Sequence, residues 1–182
     1  MNKSALSPFP FLETARLRLR QLKPSDAPTI YSFHADSENR KYIDKPPPEN
    51  VLATRNFIKS INAGISKNEC GYWGLELKAD PQLVGTICLW NFSENFNRVE
   101  VGFELGAQFQ RLGYMSEALE SVIYFAFNNL KASKIEAYTH LENRSSQKIL
   151  EKYNFKKEKE IEEKFAEKKG TYKMAVYSLK NP

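Results

Sequence analysis

The chain has few of the residues that build covalent or metal-held frameworks. It contains two cysteines and two histidines in 182 residues. Two cysteines are too few for a disulfide framework, and no histidine spacing accompanies Cys70 or Cys88. Both cysteines fall in apolar runs typical of strands, where a buried thiol is the expected state. We therefore expect neither a structural zinc site nor any other bound metal.

Long apolar segments are also missing. No apolar run approaches the ~18 residues that cross a bilayer. The segment from Met1 to Pro10 lacks a charged start followed by the apolar core of a signal peptide. These absences predict a cytoplasmic protein with no membrane partner.

The remaining composition is that of an ordinary globular protein, with 41% hydrophobic, 13% aromatic and 27% charged residues. At about 150 residues per domain, the length predicts a single domain covering residues 1–182. Twenty-seven Lys and Arg against 22 Asp and Glu give a net charge of +5, which favours an anionic ligand. The basic residues are interspersed with acids, as in 156–164, so a nucleic-acid-binding stripe is not indicated.

Hydrophobic periodicity predicts a mixed α/β domain. Two-residue alternation predicts strands at 15–22, 72–77, 83–90, 99–106 and 134–141, and two more within 155–179 joined near Lys169 and Gly170. Spacing by three and four predicts helices from an N-cap at Ser25 to Ala35, from Glu49 to Gly64 with Leu52 on its apolar stripe, from Gly113 to Leu130, and around 146–153. His34 lies beside the first apolar stripe, where a packed histidine is more common than a catalytic one. The crossover after the third meander strand should be right-handed.

The segment 108–119 leads from a strand into the strongest helix through Gly113. Free N–H groups at a helix start, with the helix dipole behind them, bind phosphate groups well. Gly113 would allow close approach of the backbone, and Arg111 could add a charge-assisted contact. An ordinary tight turn has the same pattern, so both interpretations remain open on these residues alone.

Several motifs resemble the GNAT superfamily of acyl-CoA N-acyltransferases, and within it the RimJ/RimL-type group that acetylates ribosomal-protein N-termini. The segment 12–20 is similar to the first strand of the group, and Gln110 with Gly113 matches the pyrophosphate loop. The stretches 113–119, 143–146 and 153–155 are similar to the remaining motifs of the group. The resemblance covers nearly the whole chain. It implies a mostly antiparallel mixed sheet that opens into a V and is flanked by helices.

The resemblance also implies a binding site for acetyl-CoA in that V. Main-chain groups at Phe103, Glu104 and Leu105 would pair with the pantetheine amides and polarise the thioester carbonyl. Asn143 would contact the pantetheine arm, although it could merely cap a helix. The predicted pyrophosphate-loop residues are Gln110, Arg111, Leu112, Gly113, Tyr114, Met115 and Ser116.

The chemistry implied by the resemblance is direct attack of an amine on the thioester in a ternary complex. Glu100 and Glu104 share one strand face and are the candidates for the general base or a substrate anchor, although either could be a solvated or ion-paired glutamate. Ser146 is the candidate hydroxyl near the leaving sulfur, or simply a first-turn serine. The expected acceptor is a protein N-terminal α-amine. A polyamine, an aminoglycoside or another small amine is the alternative, and relatives are monomers or homodimers.

Four departures from the family pattern bear on mechanism. Arg111 and Leu112 replace a small pair before the loop glycine, and Asn154 replaces a glycine expected to be left-handed. Leu150 stands where many members carry a tyrosine that protonates the thiolate, and Met174 stands where relatives often have an aspartate. These departures keep open a non-catalytic acyl-CoA-binding module. A basic RNA-associated protein is a second rival, one that predicts steeply salt-dependent RNA binding.

Overall fold

A computed structural model describes residues 3–43, 46–93, 97–164 and 171–181. Single 3-10 turns occupy Lys3–Leu6, Pro24–Asp26 and Ala107–Phe109. The strands are β1 (Leu12–Glu13), β2 (Leu17–Gln21), β3 (Gly71–Leu77), β4 (Leu83–Trp90), β5 (Arg98–Leu105), β6 (Lys134–His140), β7 (Lys156–Lys164) and β8 (Thr171–Lys180). The helices are α1 (Ala27–Ala35), α2 (Ser37–Arg40), α3 (Val51–Ser66), α4 (Tyr114–Asn128) and α5 (Arg144–Lys152).

The eight strands form one sheet in the order β1-β2-β3-β4-β5-β6-β8-β7. All neighbouring strands are antiparallel except β5 and β6, which are parallel and are connected through α4. Strand β8 lies between β6 and β7, so the last strand of the chain is internal and β7 forms the edge. This mixed, mostly antiparallel sheet confirms the predicted fold class.

The sheet opens between β5 and β6. Strand β5 pairs with β4 from Glu100 to Leu105, opposite Trp90 to Gly85. It pairs with β6 only from Arg98 to Glu100. Beyond Glu100 the two strands separate, which produces the expected V with its apex at the Glu100 and Glu136 pair.

The main core lies between the sheet and α4. Alternation on β2 buries Leu17 and Leu19 completely, and Trp73 on β3 is also fully buried. The apolar stripe of α4 packs against the same face through residues spaced by three and four, as the sequence predicted. These residues are Met115, Ala118, Leu119, Val122, Phe125 and Ala126.

A smaller core covers the opposite face of the sheet near one end. It joins α1 and α3 to the end of β2 through Leu22, Ile30, Phe33 and Ile58. The two helices therefore leave the rest of that face, including the V apex, uncovered by this second cluster. No helix among the described residues combines the length and apolarity that a membrane crossing requires.

The structure corrects the predicted start of the first helix. Ser25 is not its N-cap, because Pro24–Asp26 forms a 3-10 turn and α1 follows at Ala27. Asp26 fixes this turn, since its carboxylate accepts the Lys23 backbone N–H at 2.7 Å and binds Arg20 at 2.8 Å. The short helix α2 was not predicted.

Of three further local predictions, two differ from the structure and one is confirmed. Helix α3 starts after Asn50, whose side chain caps Ala53, so Leu52 is 62% exposed instead of lying on the buried stripe. Both cysteines are half-buried, and Cys70 precedes β3 instead of lying within a strand. Asn154 has a φ of 63°, which confirms its expected left-handed conformation. The predicted turn at Lys169 and Gly170 lies outside the described residues.

Candidate active site

The start of α4 has the backbone geometry of an anion site. Gly113 is the N-cap with a φ of 84°, a left-handed conformation that favours glycine. Arg111 is also left-handed, with a φ of 63°. The positive φ explains why a glycine is common at this point of the loop, and Arg111 tolerates it on an exposed turn. The free N–H groups of the first helical turn follow directly after Gly113.

Glu117 attaches this helix start to the beginning of the sheet. Its carboxylate accepts hydrogen bonds from the Thr14 hydroxyl, from the Arg16 backbone N–H at 2.6 Å and from Arg16 Nε at 2.8 Å. Arg16 Nη1 also donates to the Leu112 carbonyl at 3.0 Å, and its guanidinium lies over the Tyr114 ring. Burial raises the pKa of Glu117, but the donors outweigh burial and hold it below its usual range. Two motifs about one hundred residues apart thus form one rigid unit.

The Gln110 side chain contacts residues outside the predicted pyrophosphate loop. Its Nε2 donates to Asn39 Oδ1 at 3.1 Å, and lies 3.5 Å from the Leu105 carbonyl. Gln110 therefore joins α2 to the end of β5 at the mouth of the V. The predicted contact between this side chain and a pyrophosphate group stays a prediction.

Helix α5 lies beside the first turn of α4. Tyr153 donates its hydroxyl to the Ser116 carbonyl at 2.7 Å, and Lys152 Nζ donates to Ser116 Oγ at 3.2 Å. At the other end of α5, Asn143 caps the helix by accepting the Ser146 backbone N–H at 3.1 Å. The side-chain oxygen of Asn143 therefore caps α5, which confirms the alternative interpretation of this residue. Tyr153 is bound at Ser116, so it does not replace the missing tyrosine of position 150.

Leu150 and Gln147 fix α5 on the sheet. Leu150 is fully buried in the main core, which shows that this position serves packing. Gln147 is buried and donates to the carbonyls of His140 and Leu141, the latter at 2.7 Å. Gln147 was not predicted from the sequence, because only the tertiary structure shows where its amide is directed. The half-buried Ser146 directly precedes Gln147 in the first turn of α5.

Glu100 is a half-buried carboxylate at the V apex. Asn91 Nδ2 donates to its Oε2 at 3.2 Å, and the nearby Trp90 side chain also acts to lower its pKa. Burial raises the pKa of Glu100, and these neutral donors only partly offset the rise. The neighbouring Glu136 differs, because it forms ion pairs with Arg98 at 2.8 Å and Lys134 at 2.5 Å.

Glu104 shares the sheet face with Glu100, four residues further along β5, or about 13 Å by strand rise. Its Oε1 accepts hydrogen bonds from His34 Nε2 at 2.9 Å and from the Thr86 hydroxyl at 3.2 Å. Because Thr86 donates its only proton to Glu104, Tyr72 must donate to Thr86. His34 also packs against the edge of Phe57. The packed histidine is thus also a polar partner of the site, which the sequence did not predict.

Burial decides which of the predicted residues can contact a ligand through their side chains. Met115 is 6% exposed and packs in the core, so only its backbone is available to a ligand. Phe103 and Leu105 pack against the same core, and their main chain borders the open part of the V.

The sequence did not identify His34, Tyr72, Thr86 or Trp90 as neighbours of the glutamates. Alternation along β3 and β4 places the last three on one face, but only the strand register places that face beside the glutamates.

Both thiols are poor nucleophiles in this fold. Burial raises the pKa of Cys88 to about 12, and burial also raises the pKa of Cys70. Thiolate is the nucleophilic form of cysteine, so a raised pKa lowers reactivity near neutral pH. This electrostatic state favours a reaction without an enzyme-linked acyl group.

Comparison with known proteins connects this geometry to a family. The family model of the acetyltransferase (GNAT) domain matches residues 16–156. The chain belongs to the GNAT acetyltransferase family. As a GNAT protein it is an acetyl-CoA-dependent N-acetyltransferase. The N-acetyltransferase YoaA of Bacillus subtilis strain 168 is 29% identical over 174 residues, which cover 96% of this chain and 98% of YoaA.

Solved GNAT structures share the whole fold. A GNAT acetyltransferase from Bacillus anthracis has a TM-score of 0.82 and 22% identity, covering 94% of this chain and 98% of its own. RimL, a ribosomal L7/L12 α-N-protein acetyltransferase solved with coenzyme A, has a TM-score of 0.81 and 16% identity over 94% of this chain and 98% of its own. This chain therefore shares the fold of RimL, as the resemblance to RimJ/RimL-type proteins implied.

Proposed function

We propose that this GNAT protein transfers the acetyl group of acetyl-CoA directly to a primary amine, and that the acceptor is the N-terminal α-amine of a protein. The observation that carries the proposal is the separation of β5 from β6 at Glu100, which puts a half-buried carboxylate at the apex of an open strand edge. The amine nitrogen would attack the thioester carbonyl at this apex.

The residues present fit acetyl-CoA. The left-handed Gly113 and the first turn of α4 supply main-chain donors for the pyrophosphate, with Arg111 on the exposed side. The main chain of Phe103 to Leu105 borders the V and would hydrogen-bond the pantetheine amides. Helix α5 runs along the same side, with Ser146 near one end and Lys152 at the first turn of α4.

Glu100 is the better candidate for the general base. The α-ammonium group must lose a proton before it attacks, and its ordinary pKa is about 7.7 to 8.0. A carboxylate with a raised pKa is a stronger proton acceptor, and the raised pKa of Glu100 meets this requirement. Glu104 has His34 and Thr86 on its Oε1, an arrangement better suited to holding the carboxylate in place than to moving a proton.

The proposed reaction balances without a covalent enzyme intermediate. Glu100 takes one proton from the ammonium group, and the free amine forms the new carbon–nitrogen bond as the carbon–sulfur bond breaks. As the amide forms, the nitrogen releases a second proton. The departing thiolate takes a proton from the Ser146 hydroxyl or from water that this hydroxyl orients, and the second proton from nitrogen replaces the one that was given up. The high pKa of Cys88 supports this direct route.

The protein N-terminal acceptor is supported by the fold similarity to RimL, whose own substrate is a ribosomal-protein α-amine. A polyamine or another small amine is the competing acceptor. Both present the same reacting group, so the site at Glu100 accommodates the chemistry of either.

The experiment that tests the proposal has two steps. Acetyl-CoA at ~100 times its dissociation constant should stabilise the protein by about 2.7 kcal/mol in thermal unfolding. Mass spectrometry should then detect a 1:1 acetylated product with short peptides that have a free N-terminus, and none with the same peptides after N-terminal blocking. Binding of acetyl-CoA without transfer to peptides, spermidine or aminoglycosides would show a non-catalytic acyl-CoA-binding module instead.

A further inference from the structure

Trp90 is an exposed aromatic residue at the V apex. The other residues of β4 are buried or half-buried, whereas Trp90, the last residue of the strand, is 45% exposed. In the strand register it lies directly opposite Glu100. An exposed indole contributes little to the core, so packing alone does not account for it.

The indole lies beside the Glu100 carboxylate. Its N–H acts to lower the pKa of this group, and the carboxylate accepts a hydrogen bond from the side-chain amide of Asn91 at 3.2 Å. Asn91 has a left-handed backbone with a φ of 48° at the end of β4, which directs its amide back toward β5. The strand register and the exposure of Trp90 thus place an accessible aromatic ring next to the carboxylate.

Residues of the neighbouring strands surround Glu100 on this face of the sheet. Tyr138 on β6 is two residues beyond Glu136, the partner of Glu100 across the apex, and therefore lies on the same face. Its hydroxyl donates to Glu136 Oε2 at 3.3 Å. Gly102 lies between Cys88 and the indole: a Cβ there would lie 3.1 Å from Cys88 Sγ, a tight contact, and 4.0 Å from Trp90 Nε1, so the absent side chain lets the strands pack closely beside Trp90.

The charges around Glu100 favour a cation. Glu136 is neutralised by Arg98 and Lys134. Within the described part of the chain, Glu100 has hydrogen bonds only from neutral donors, while Arg98 acts on it through its field. A carboxylate next to an aromatic face is a favourable site for an alkyl ammonium group, because the ring quadrupole and the negative charge attract the same cation.

We infer that Trp90 is an acceptor-recognition residue, which binds the carbon next to the reacting nitrogen on its indole face while Glu100 binds the ammonium group. The inference rests on the proposed function and adds a residue that selects a primary ammonium on an aliphatic carbon. A chain N-terminus and a small alkylamine share this chemistry, so the test includes both sources.

The test compares Trp90→Ala and Trp90→Phe with Tyr124→Ala, which removes a 66% exposed aromatic from the outer surface of α4. With an alanine-initiated peptide or with spermidine as acceptor, Trp90→Ala should raise the acceptor KM by about 5- to 30-fold. Trp90→Phe should cause a smaller rise, because the phenyl face binds cations less strongly than indole. The acetyl-CoA KM should change less than twofold in every variant, and Tyr124→Ala should match the wild type throughout.

Fluorescence provides a readout that needs no turnover. The protein contains two tryptophans, and Trp73 is fully buried, so the exposed Trp90 should account for any change on amine binding. Titration of the CoA-bound protein with the peptide or spermidine should alter the emission of the wild type and not that of Trp90→Phe. N-terminally blocked peptide should produce no change. The arm that responds, peptide or spermidine, identifies the source of the ammonium group.

The outcomes separate the two hypotheses. If acetyl transfer occurs and Trp90→Ala and Trp90→Phe keep the wild-type acceptor KM, the recognition role of Trp90 is wrong while the proposed function stands. If acetyl-CoA binds but no amine is acetylated, the proposed function is wrong. In that case an amine-dependent change in Trp90 emission would still support the subsite, and its absence would overturn it.

Discussion

The two sides of the cleft are built in different ways. On the α4 side, the groups that would face acetyl-CoA are main-chain atoms from one continuous loop and helix start, 110–116, supported by Arg16. On the proposed acceptor side, the groups are side chains from distant parts of the sequence, such as His34 and Glu104, which are 70 residues apart. Recognition through the backbone leaves a local sequence motif, whereas recognition by assembled side chains does not.

Glu117 and Glu100 show the same contrast in their electrostatics. Glu117 accepts hydrogen bonds from a charged guanidinium, a hydroxyl and a backbone N–H, and its pKa is lowered even though burial opposes the change. Glu100 has neutral donors, and burial raises its pKa. The first carboxylate is stabilised as an anion and suits a structural role, while the second gains basicity and suits proton transfer.

The largest effect should come from the acceptor side. Glu100→Gln keeps the shape and a hydrogen-bond acceptor but cannot take a proton, so we expect kcat to fall by about 10²- to 10⁴-fold with little change in acetyl-CoA affinity. Steady-state kinetics with peptide acceptors would measure this loss. The matched control is Glu104→Gln, for which a smaller loss is expected. Equal kcat values for Glu100→Gln and the wild type would remove Glu100 from proton transfer.

On the α4 side, the strongest change should be Gly113→Asp. An aspartate at a φ of 84° is strained, its Cβ would lie 3.2 Å from Arg16 Nη2, and its charge would repel a pyrophosphate group. We expect affinity for coenzyme A to fall by about 30- to 100-fold in titration calorimetry. Gly113→Asn has a similar size and tolerates the left-handed region without the charge, so it should lose less. Wild-type affinity in Gly113→Asp would contradict the proposed pyrophosphate site.

Glu117→Gln should weaken the link between the sheet and α4. We expect a loss of about 1 to 2 kcal/mol in the free energy of unfolding at pH 7, moderated because the Arg16 side chain is 47% exposed. A carboxylate with a lowered pKa stabilises the fold above its ordinary pKa and loses this contribution as the pH falls through the lowered value. Urea unfolding from pH 7 down to pH 3 should therefore show the difference between variant and wild type shrinking.

Glu100→Gln should change stability in the opposite direction when urea unfolding is measured as a function of pH. Because the folded-state pKa of Glu100 is raised, its ionisation costs stability as the pH rises from the ordinary carboxyl pKa of ~4.3 through the raised value. The variant should therefore gain stability relative to the wild type over this window. Parallel pH profiles for Glu117→Gln and Glu100→Gln would show that the two carboxylates do not differ as argued.

The smallest effect should be at the start of α5. Ser146→Ala should slow acetyl transfer by about 3- to 10-fold with an unchanged melting temperature, because Asn143 and not Ser146 caps the helix. Asn143→Ala is the control and should lose about 1 kcal/mol of stability through the missing cap. If Ser146→Ala lowers stability and leaves the transfer rate unchanged, the hydroxyl has only a structural role.

Much of the fold could be predicted because its elements have strong periodic patterns. Strand β4 has its predicted bounds, Leu83–Trp90, and α4 begins one residue after the predicted glycine. The errors fall where side chains compete for backbone groups. Asp26 replaces Ser25 at the first helix because Arg20 and the Lys23 N–H both bind its carboxylate, which local propensity does not show.

By itself, the sequence determined the α/β elements and the glycine at the start of α4, because periodicity and a left-handed glycine are local features. The opening of the sheet beside β5 followed from the resemblance to the GNAT family and not from periodicity. Only the tertiary structure decided the electrostatic state of each glutamate and which aromatic residue lies at the apex. A pKa depends on burial and on neighbours from other strands, and the position of Trp90 opposite Glu100 depends on strand register.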